Sequence, residues 1–493
     1  MSSSNRVQLV SVVEATVGTT PGTPRMRTRR DTGEGLKWTP TFVDSGERRS
    51  DRMNSPPIKA GEDSGGDIKF ELSYPFPDSP ADVDIQSAMY NSWVNTNSRD
   101  NDGVADAVIT DVATAGTVVT CTTGTAFVAK ELVRFTGFGV TLNNGVFACT
   151  TGSATVPAFV GSGITNEVTV PAAARMKSVG FIGDSGDINA TATGLSSTTT
   201  NFTTIPGCAV GRWMKIGGTG AAFRFVTSAL NDWVRITAVT ATALTFDNRP
   251  SGWTTETGTG LTIKFWFGDQ IKNGTTQVGQ TIEKGFLDQT TPTYITQPGM
   301  VVSQYSMDWT AKQQITGSVT YMGMTGADQD TAALDASPDA NTSLTSFPIM
   351  ACSANVGRIG EAGASLVSPN FVRALTFQIS NNITSIEAVP TVGAAGLSGH
   401  ACTVTGTLNT YFGDNSLLTK FFNGTTTSLN IRAAKDSRAV IVTFPQITYN
   451  GEGSPNASAA NQDVMLPLAW KASKEETYTN AQVLIDRIEY WES

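Results

Sequence analysis

Asp67-Ile68-Lys69-Phe70-Glu71-Leu72-Ser73-Tyr74 alternates polar and apolar residues without a break, which puts Ile68, Phe70, Leu72 and Tyr74 on one face of an extended strand. A helix would scatter the same four around its circumference. The period-two pattern recurs on either side, at 36–43, 281–286, 301–309, 314–322, 371–379, 400–412, 439–449, 464–470 and 482–491, and the chain reads as all-β. Composition agrees: only 16% of residues are charged, 48 are glycine and threonine is frequent, a balance that favours sheets and tight turns over long surface helices.

Two segments break the alternation. Ser79-Pro80 has the form of a helix cap and first helical residue, followed by Val83, Ile85, Met89 and Trp93; Asp414 precedes Leu417, Leu418, Phe421 and Phe422, with Gly424 as the stop. Each predicted helix follows the same grammar of strand, polar loop and strand. The first runs 36–43, 44–66, 67–74, then helix 79–94; the second runs 371–379, 380–399, 400–412, then helix 414–422. The expectation is two β-sandwich domains, each with a short flanking helix, the first split by two small inserted β-modules. Its boundaries are 1–110 (first part, with an N-terminal arm), 111–187 and 188–268 (modules), 269–335 (second part) and 336–493 (second domain). Within the insertion, Leu142-Asn143-Asn144-Gly145-Val146 is echoed by Leu230-Asn231-Asp232-Trp233-Val234.

With 493 residues the chain can build several cores, and a formal net charge of −9 argues against binding to nucleic acid or anionic membrane. No stretch reaches the ~18 apolar residues of a membrane span, and residues 7–13 lack a cleavage site, so neither membrane insertion nor a signal peptide is expected. The five cysteines are scattered, with no CxxC spacing, which points to reduced thiols and to neither zinc nor a disulfide framework.

Asp63-Ser64-Gly65-Gly66 and Gly183-Asp184-Ser185-Gly186 imitate a serine-hydrolase nucleophile loop. A nucleophilic serine needs a base, and the only histidine, His400, follows both stretches, so they read as turns and the chain as no enzyme. Asp100, Asp102 and Asp106 around Gly103 have oxygen ligands for calcium but no bidentate glutamate at the usual distance, and a solvated linker is the competing reading. No phosphate loop, HExxH or Cys/His cluster occurs, and no cofactor is expected. The basic run Arg25, Arg27, Arg29, Arg30 and the mixed run Glu47-Arg48-Arg49-Ser50-Asp51-Arg52 suit protein docking, because alternating signs set register between subunits; a plain solvated loop and phosphate contact are the other readings.

Several stretches resemble the tail tube (major tail) proteins of long flexible-tailed, siphovirus-type bacteriophages. They are Glu14-Ala15-Thr16-Val17-Gly18-Thr19-Thr20-Pro21-Gly22-Thr23-Pro24, the run from Ser45 to Arg52, Gly65-Gly66-Asp67 through Tyr74, Thr281-Ile282-Glu283-Lys284-Gly285-Phe286, and Gly406-Thr407-Leu408-Asn409-Thr410-Tyr411-Phe412. The resemblance covers both ends and spares the insertion. It implies a structural virion protein, assembled in the host cytoplasm, whose rings stack into a tube for genome delivery. Two tube domains per chain imply a homotrimeric, pseudo-hexameric ring, with a hexamer as the alternative. The implied partners are further copies of itself, tail-tip, tape-measure and tail-terminator proteins, and DNA in transient, non-specific passage.

Within that reading, a conduit must not hold its cargo, and small polar side chains suit its wall. Thr316, Ser318, Thr320 and Thr403, Thr405, Thr407 fit a lumen face, with Ile315, Val319, Val404 and Leu408 turned to the core; an ordinary solvent-facing strand is the competing reading. Arg25 to Arg52 would dock against the next ring. A cell-surface or adhesive β-protein, with the Thr-rich modules binding carbohydrate or a host surface, is the alternative function.

Overall fold

The computed structural model describes residues 3, 6–101, 108–113, 118–160, 164–325, 328–340, 346–366, 368–389, 391–451, 454–455, 457 and 460–490. The protein is all-β, with a few short helices. The first half of the part outside the insertion contributes β1 (Val7–Val13), β2 (Lys37–Val43), β3 (Ile58–Glu71) and α1 (Pro80–Met89). Ser79 caps α1 by accepting from the Asp82 amide, and Tyr90 closes it in the left-handed region. The helix is therefore shorter than the sequence pattern suggests.

The insertion contains β4 (Ser98–Asp100), β5 (Glu131–Thr136), β6 (Gly145–Thr151), β7 (Arg175–Ile182), β8 (Trp213–Ile216), β9 (Trp233–Val239) and β10 (Lys264–Trp266). These belong to one sheet that runs through two separate apolar cores. Because β4 pairs with β7, the chain enters the insertion before Ser98. The loop behind the sequence echo is repeated, but one residue out of the register the echo suggests, since Asn144 and not Asn143 is the counterpart of Asn231. Asn144 bridges the Phe138 amide and carbonyl, and Asn231 does the same for Phe225. Glu167 accepts from the amides of Gly139 and Val140, and Glu256 from those of Val226 and Thr227.

The chain then returns through β11 (Gln280–Phe286), β12 (Thr293–Thr310) and β13 (Thr316–Gly323). The last part holds β14 (Val372–Ser380), β15 (Thr403–Tyr411), α2 (Ser416–Phe422), β16 (Thr426–Lys435), β17 (Arg438–Tyr449), β18 (Met465–Ala472) and β19 (Leu484–Glu489). One pairing order occurs twice, β2–β3–β13–β12 and β14–β15–β18–β17, each continued by a hairpin, β12–β11 and β17–β16. The correspondence between halves is shifted by one strand from the sequence pattern, because β16 matches β11 and was not among the strands expected.

Two further expectations change. The polar loop 44–66 is shorter, since β3 already starts at Ile58, and Asp63-Ser64-Gly65-Gly66 is strand instead of turn. Residues 58–63 pair with β2 as a ribbon open to solvent, so no apolar face was selected and the sequence showed no alternation. Gly183-Asp184-Ser185-Gly186 does end in a turn.

A buried ionic cluster fixes the insertion to the rest. Arg487 of β19 reaches Asp269 (2.7 Å), Asp82 of α1 (2.5 Å) and the Pro75 carbonyl (2.9 Å), while Lys177 of β7 also pairs with Asp269. Around it, Trp213, Trp233 and Trp266 of the insertion pack with Ala439, Ile441 and Ile488. Charges this deep in the protein are tolerable because each is paired and hydrogen-bonded.

Candidate functional site

The two repeated halves meet edge to edge. β12 pairs antiparallel with β14 from Gln304↔Ser380 to Thr310↔Ala374, so β3, β13, β12, β14, β15 and β18 form one continuous sheet across both halves. Strand alternation then sorts its faces. Inward lie Ile68, Val319, Tyr305, Ile379 and Val404 in one row and Trp309, Leu375, Leu408 and Leu468 in another, all buried.

The opposite face is polar in every row. Register places Lys69, Ser318, Ser306, Gln378, Thr405 and Lys471 side by side, and beside them Glu71, Thr316, Asp308, Thr376, Thr407 and Ala469. A third row holds Asp67, Thr320, Gln304, Ser380 and Thr403. Thr376 and Thr407 share a hydrogen bond between hydroxyls at 2.7 Å. The face is an open concavity bearing hydroxyls, amides and charges of both signs. The six residues singled out from sequence thus lie together on one face, with Thr316 and Thr407 exposed and Ser318, Thr320, Thr403 and Thr405 partly so. Sequence reading found β12 and β14 as strands, at 301–309 and 371–379, but not that they pair at the centre of this face, because the contact that joins them spans two halves of the chain and has no local signal.

Close packing behind the face explains one glycine. A Cβ at Gly406 would stand 2.3 Å from the Trp470 ring and 2.2 Å from the Thr376 carbonyl. Nothing larger fits between β14 and β18 at that position.

The basic arm divides into two environments. Arg29 is buried, donating to Tyr321 Oη (2.7 Å), Ser11 Oγ (3.0 Å) and Gln280 Oε1 (3.0 Å) and pairing with Asp84. Burial alone would lower its pKa, but Asp84 and Tyr321 raise it overall. It holds the arm against α1 and faces the interior. Arg25 and Arg27 lie by Asp339 (2.7 and 3.9 Å), and Arg30 donates to the Phe347 carbonyl (2.7 Å). Glu47, Arg48, Arg49, Asp51 and Arg52, by contrast, sit exposed at the tip between β2 and β3, with Arg49 paired to Asp51 at 2.7 Å.

The hydrolase-like elements do not converge. Ser64 is buried and accepts from Gln297 Nε2 (2.8 Å), while His400 is exposed and shares a hydrogen bond with Thr384 Oγ1 (3.0 Å). Of the calcium candidates, Asp102 and Asp106 lie outside the described residues. The described cysteines are all unpaired thiols, buried at Cys121, Cys149 and Cys208. Among the described residues no group of three His, Cys, Asp or Glu side chains could hold a metal, and no helix is long and apolar enough to cross a membrane.

Residues 251–472 match the family described as phage tail tube protein. The matched segment runs from the end of the insertion through β18 and therefore includes the β12–β14 joint. No curated protein matches the chain.

Proposed function

We propose, from the match of residues 251–472 to the phage tail tube family, that the chain closes into a ring of three copies, that such rings stack into the tube of a long flexible tail, and that its role is structural and not enzymatic. The observation that carries this reading is the β12–β14 joint. Inside one chain it already joins one tube-like half to the next along a strand edge. The strand that holds the position of β14 in the first half is β2, and among the described residues β2 pairs along its length only with β3.

That open edge bears Trp38, Phe42 and Val43 at 40, 57 and 54% exposure. Long, apolar, unpaired edges promote indiscriminate pairing unless a partner covers them. Placing β2 against the β17–β18 end of the next copy repeats the internal joint, and three copies then give six halves with no edge left over. In such a ring the polar face carrying Thr316, Ser318, Thr320, Thr403, Thr405 and Thr407 becomes the wall of the channel. Its mixed charges and hydroxyls suit DNA that must pass without being held.

Stacking uses the exposed tip Glu47, Arg48, Arg49, Asp51 and Arg52; Arg29 takes no part, being enclosed by Asp84 and Tyr321. Tail-tip, tape-measure and terminator proteins are the expected further partners, and the host cytoplasm the place of assembly. Electron microscopy of the purified protein at rising concentration, with single-particle mass measurement, tests the reading. Rings of three copies and hollow tubes are expected. A protein that stays monomeric even when tail-tip components are supplied would refute it.

A further inference from the structure

The joint inside the chain identifies residues that close the ring between chains, because the ladders align the two halves residue by residue. Gly65, Met322 and Val301 stand in one row, and Thr405, Lys471 and Thr448 in another. In each half the register shifts just before the last member of the row, at Pro298-Gly299 opposite β11 and at Pro445-Gln446 opposite β16. The two rows are therefore counterparts. Lys37 pairs with Gly65 and Gln378 with Thr405, so Trp38 of β2 takes the place of Ile379 of β14.

Ile379 is buried, whereas Trp38 is 40% exposed. The difference lies in what the preceding half supplies. Just beyond Ile379, the C-terminal turn of α1 reaches across the joint. The Ala88 carbonyl accepts from Asn381 Nδ2 at 3.1 Å, and Tyr90 is buried with Val301 against Ile383 and Leu397. A Cβ at Gly399 would stand 2.6 Å from the Tyr90 ring, so the second half is fitted closely to the end of this helix.

α2 follows β15 as α1 follows β3, and its last turn also carries an aromatic residue. Phe422, however, is 72% exposed, and Leu417 is the one buried residue of the helix. We propose that Phe422 of each copy anchors ring closure: it packs on the β2 edge of the next copy in the same ring, at Trp38 and Phe42, as Tyr90 packs on Ile383 inside the chain. The inference rests on the ring reading above and names the residues that make its contact. The occupant is a second copy because β14 is flanked by a strand of the preceding half, while among the described residues β2 pairs along its length only with β3. Aromatic side chains enclosed at the centre of an interface carry a large share of its binding energy.

The test measures ring mass for the full chain and its variants. Phe422→Ser is expected to unfold in denaturant like the parent and to need about tenfold more protein to form rings, on the scale of a lost interface anchor. Val226→Ser, which removes an exposed apolar side chain from the insertion, is expected to keep the parental ring affinity. Chains carrying Phe42→Cys together with Phe422→Cys, treated with a short bis-maleimide, are expected to yield covalent species up to the trimer and none beyond it. Parental ring affinity in Phe422→Ser, a cross-linked product no larger than one chain, or a ladder longer than the copy number of the parent ring would each overturn the proposal while leaving the ring reading standing. A parent chain that forms no rings would overturn both.

Discussion

Tyr305 stands directly across the β-ladder from Ile379, the first residue belonging to one repeated half and the second to the other, and both are almost wholly buried. The pair lies where the chain imitates a contact between separate molecules. Truncating Tyr305→Ala or Ile379→Ala removes buried side chain on one side of that joint, at a cost of about 2–5 kcal/mol each. Because the two touch across one ladder, the double variant is expected to lose less than the sum of the singles, measured by denaturant unfolding. Strict additivity would mean that the two halves are not coupled through this pair.

Much of the fold was legible because half-buried strands leave a period-two trace, as in Ile68, Phe70, Leu72 and Tyr74, and because Ser79-Pro80 and Gly424 mark helix ends by their own chemistry. Residues 58–63 were not, since a ribbon wet on both faces selects no alternation. Arg29 was misleading for a different reason. Its burial depends on Asp84 and Tyr321, which are distant in sequence, so a basic run alone cannot reveal which member is enclosed. The polar face was half legible: Thr403, Thr405 and Thr407, like the strand 371–379, announce themselves by alternation, whereas the fact that these strands stand side by side with β12 follows only from register.

Thr405→Arg would place a permanent cation in the middle row of the polar face, beside Gln378 and Lys471. A fixed positive charge on the channel wall attracts phosphate and slows transit. Rings and tubes are expected to form normally, with genome delivery delayed in an infection assay. Unchanged delivery would remove this face from the channel.

Charge reversal at the ribbon tip, Arg48→Glu, Arg49→Glu and Arg52→Glu, is expected to shorten tubes progressively and more severely at low salt, because exposed charges act over roughly a 10 Å screening length at 0.1 M ionic strength. Tube length measured against ionic strength checks this. A series with parental tube length at every salt concentration would exclude the tip from stacking.

Asp269 is shared by Lys177 and Arg487 and so ties the insertion to β19 and α1. Asp269→Ala would leave two buried cations without their common carboxylate. Removing one partner of a buried pair costs about 3–5 kcal/mol. Proteolysis is expected to release the insertion from this variant under conditions where the parent is intact; equal resistance would show that the tryptophan contacts alone hold it.

Stability is expected to peak in mild acid, for reasons that lie in three buried carboxyls and the partly buried Glu489. Burial raises Asp486 to about 7, against the opposing pull of Arg212, and raises Asp82 to about 6, against that of Arg487. Both pKa values exceed those of the unfolded chain, near 4, so protonation of these groups favours the fold. Their contribution is complete below about pH 4 and is lost as pH rises through 6 and 7. Asp269 and Glu489 behave oppositely: burial would raise them, but Lys177 and Arg487 around the first, and Arg134 and Lys177 around the second, hold both below the ordinary range. Their contribution is present above the unfolded value and disappears as pH falls through their folded values. The two trends meet near the unfolded value, about pH 4, where Tm is expected to be highest. Asp486→Asn isolates one limb, since the amide keeps the shape and the contact to Gln270 but cannot ionise. It should raise Tm at pH 8 and leave Tm at about pH 4 unchanged. A variant equally shifted at both pH values would show that Asp486 is not titrating in the folded protein.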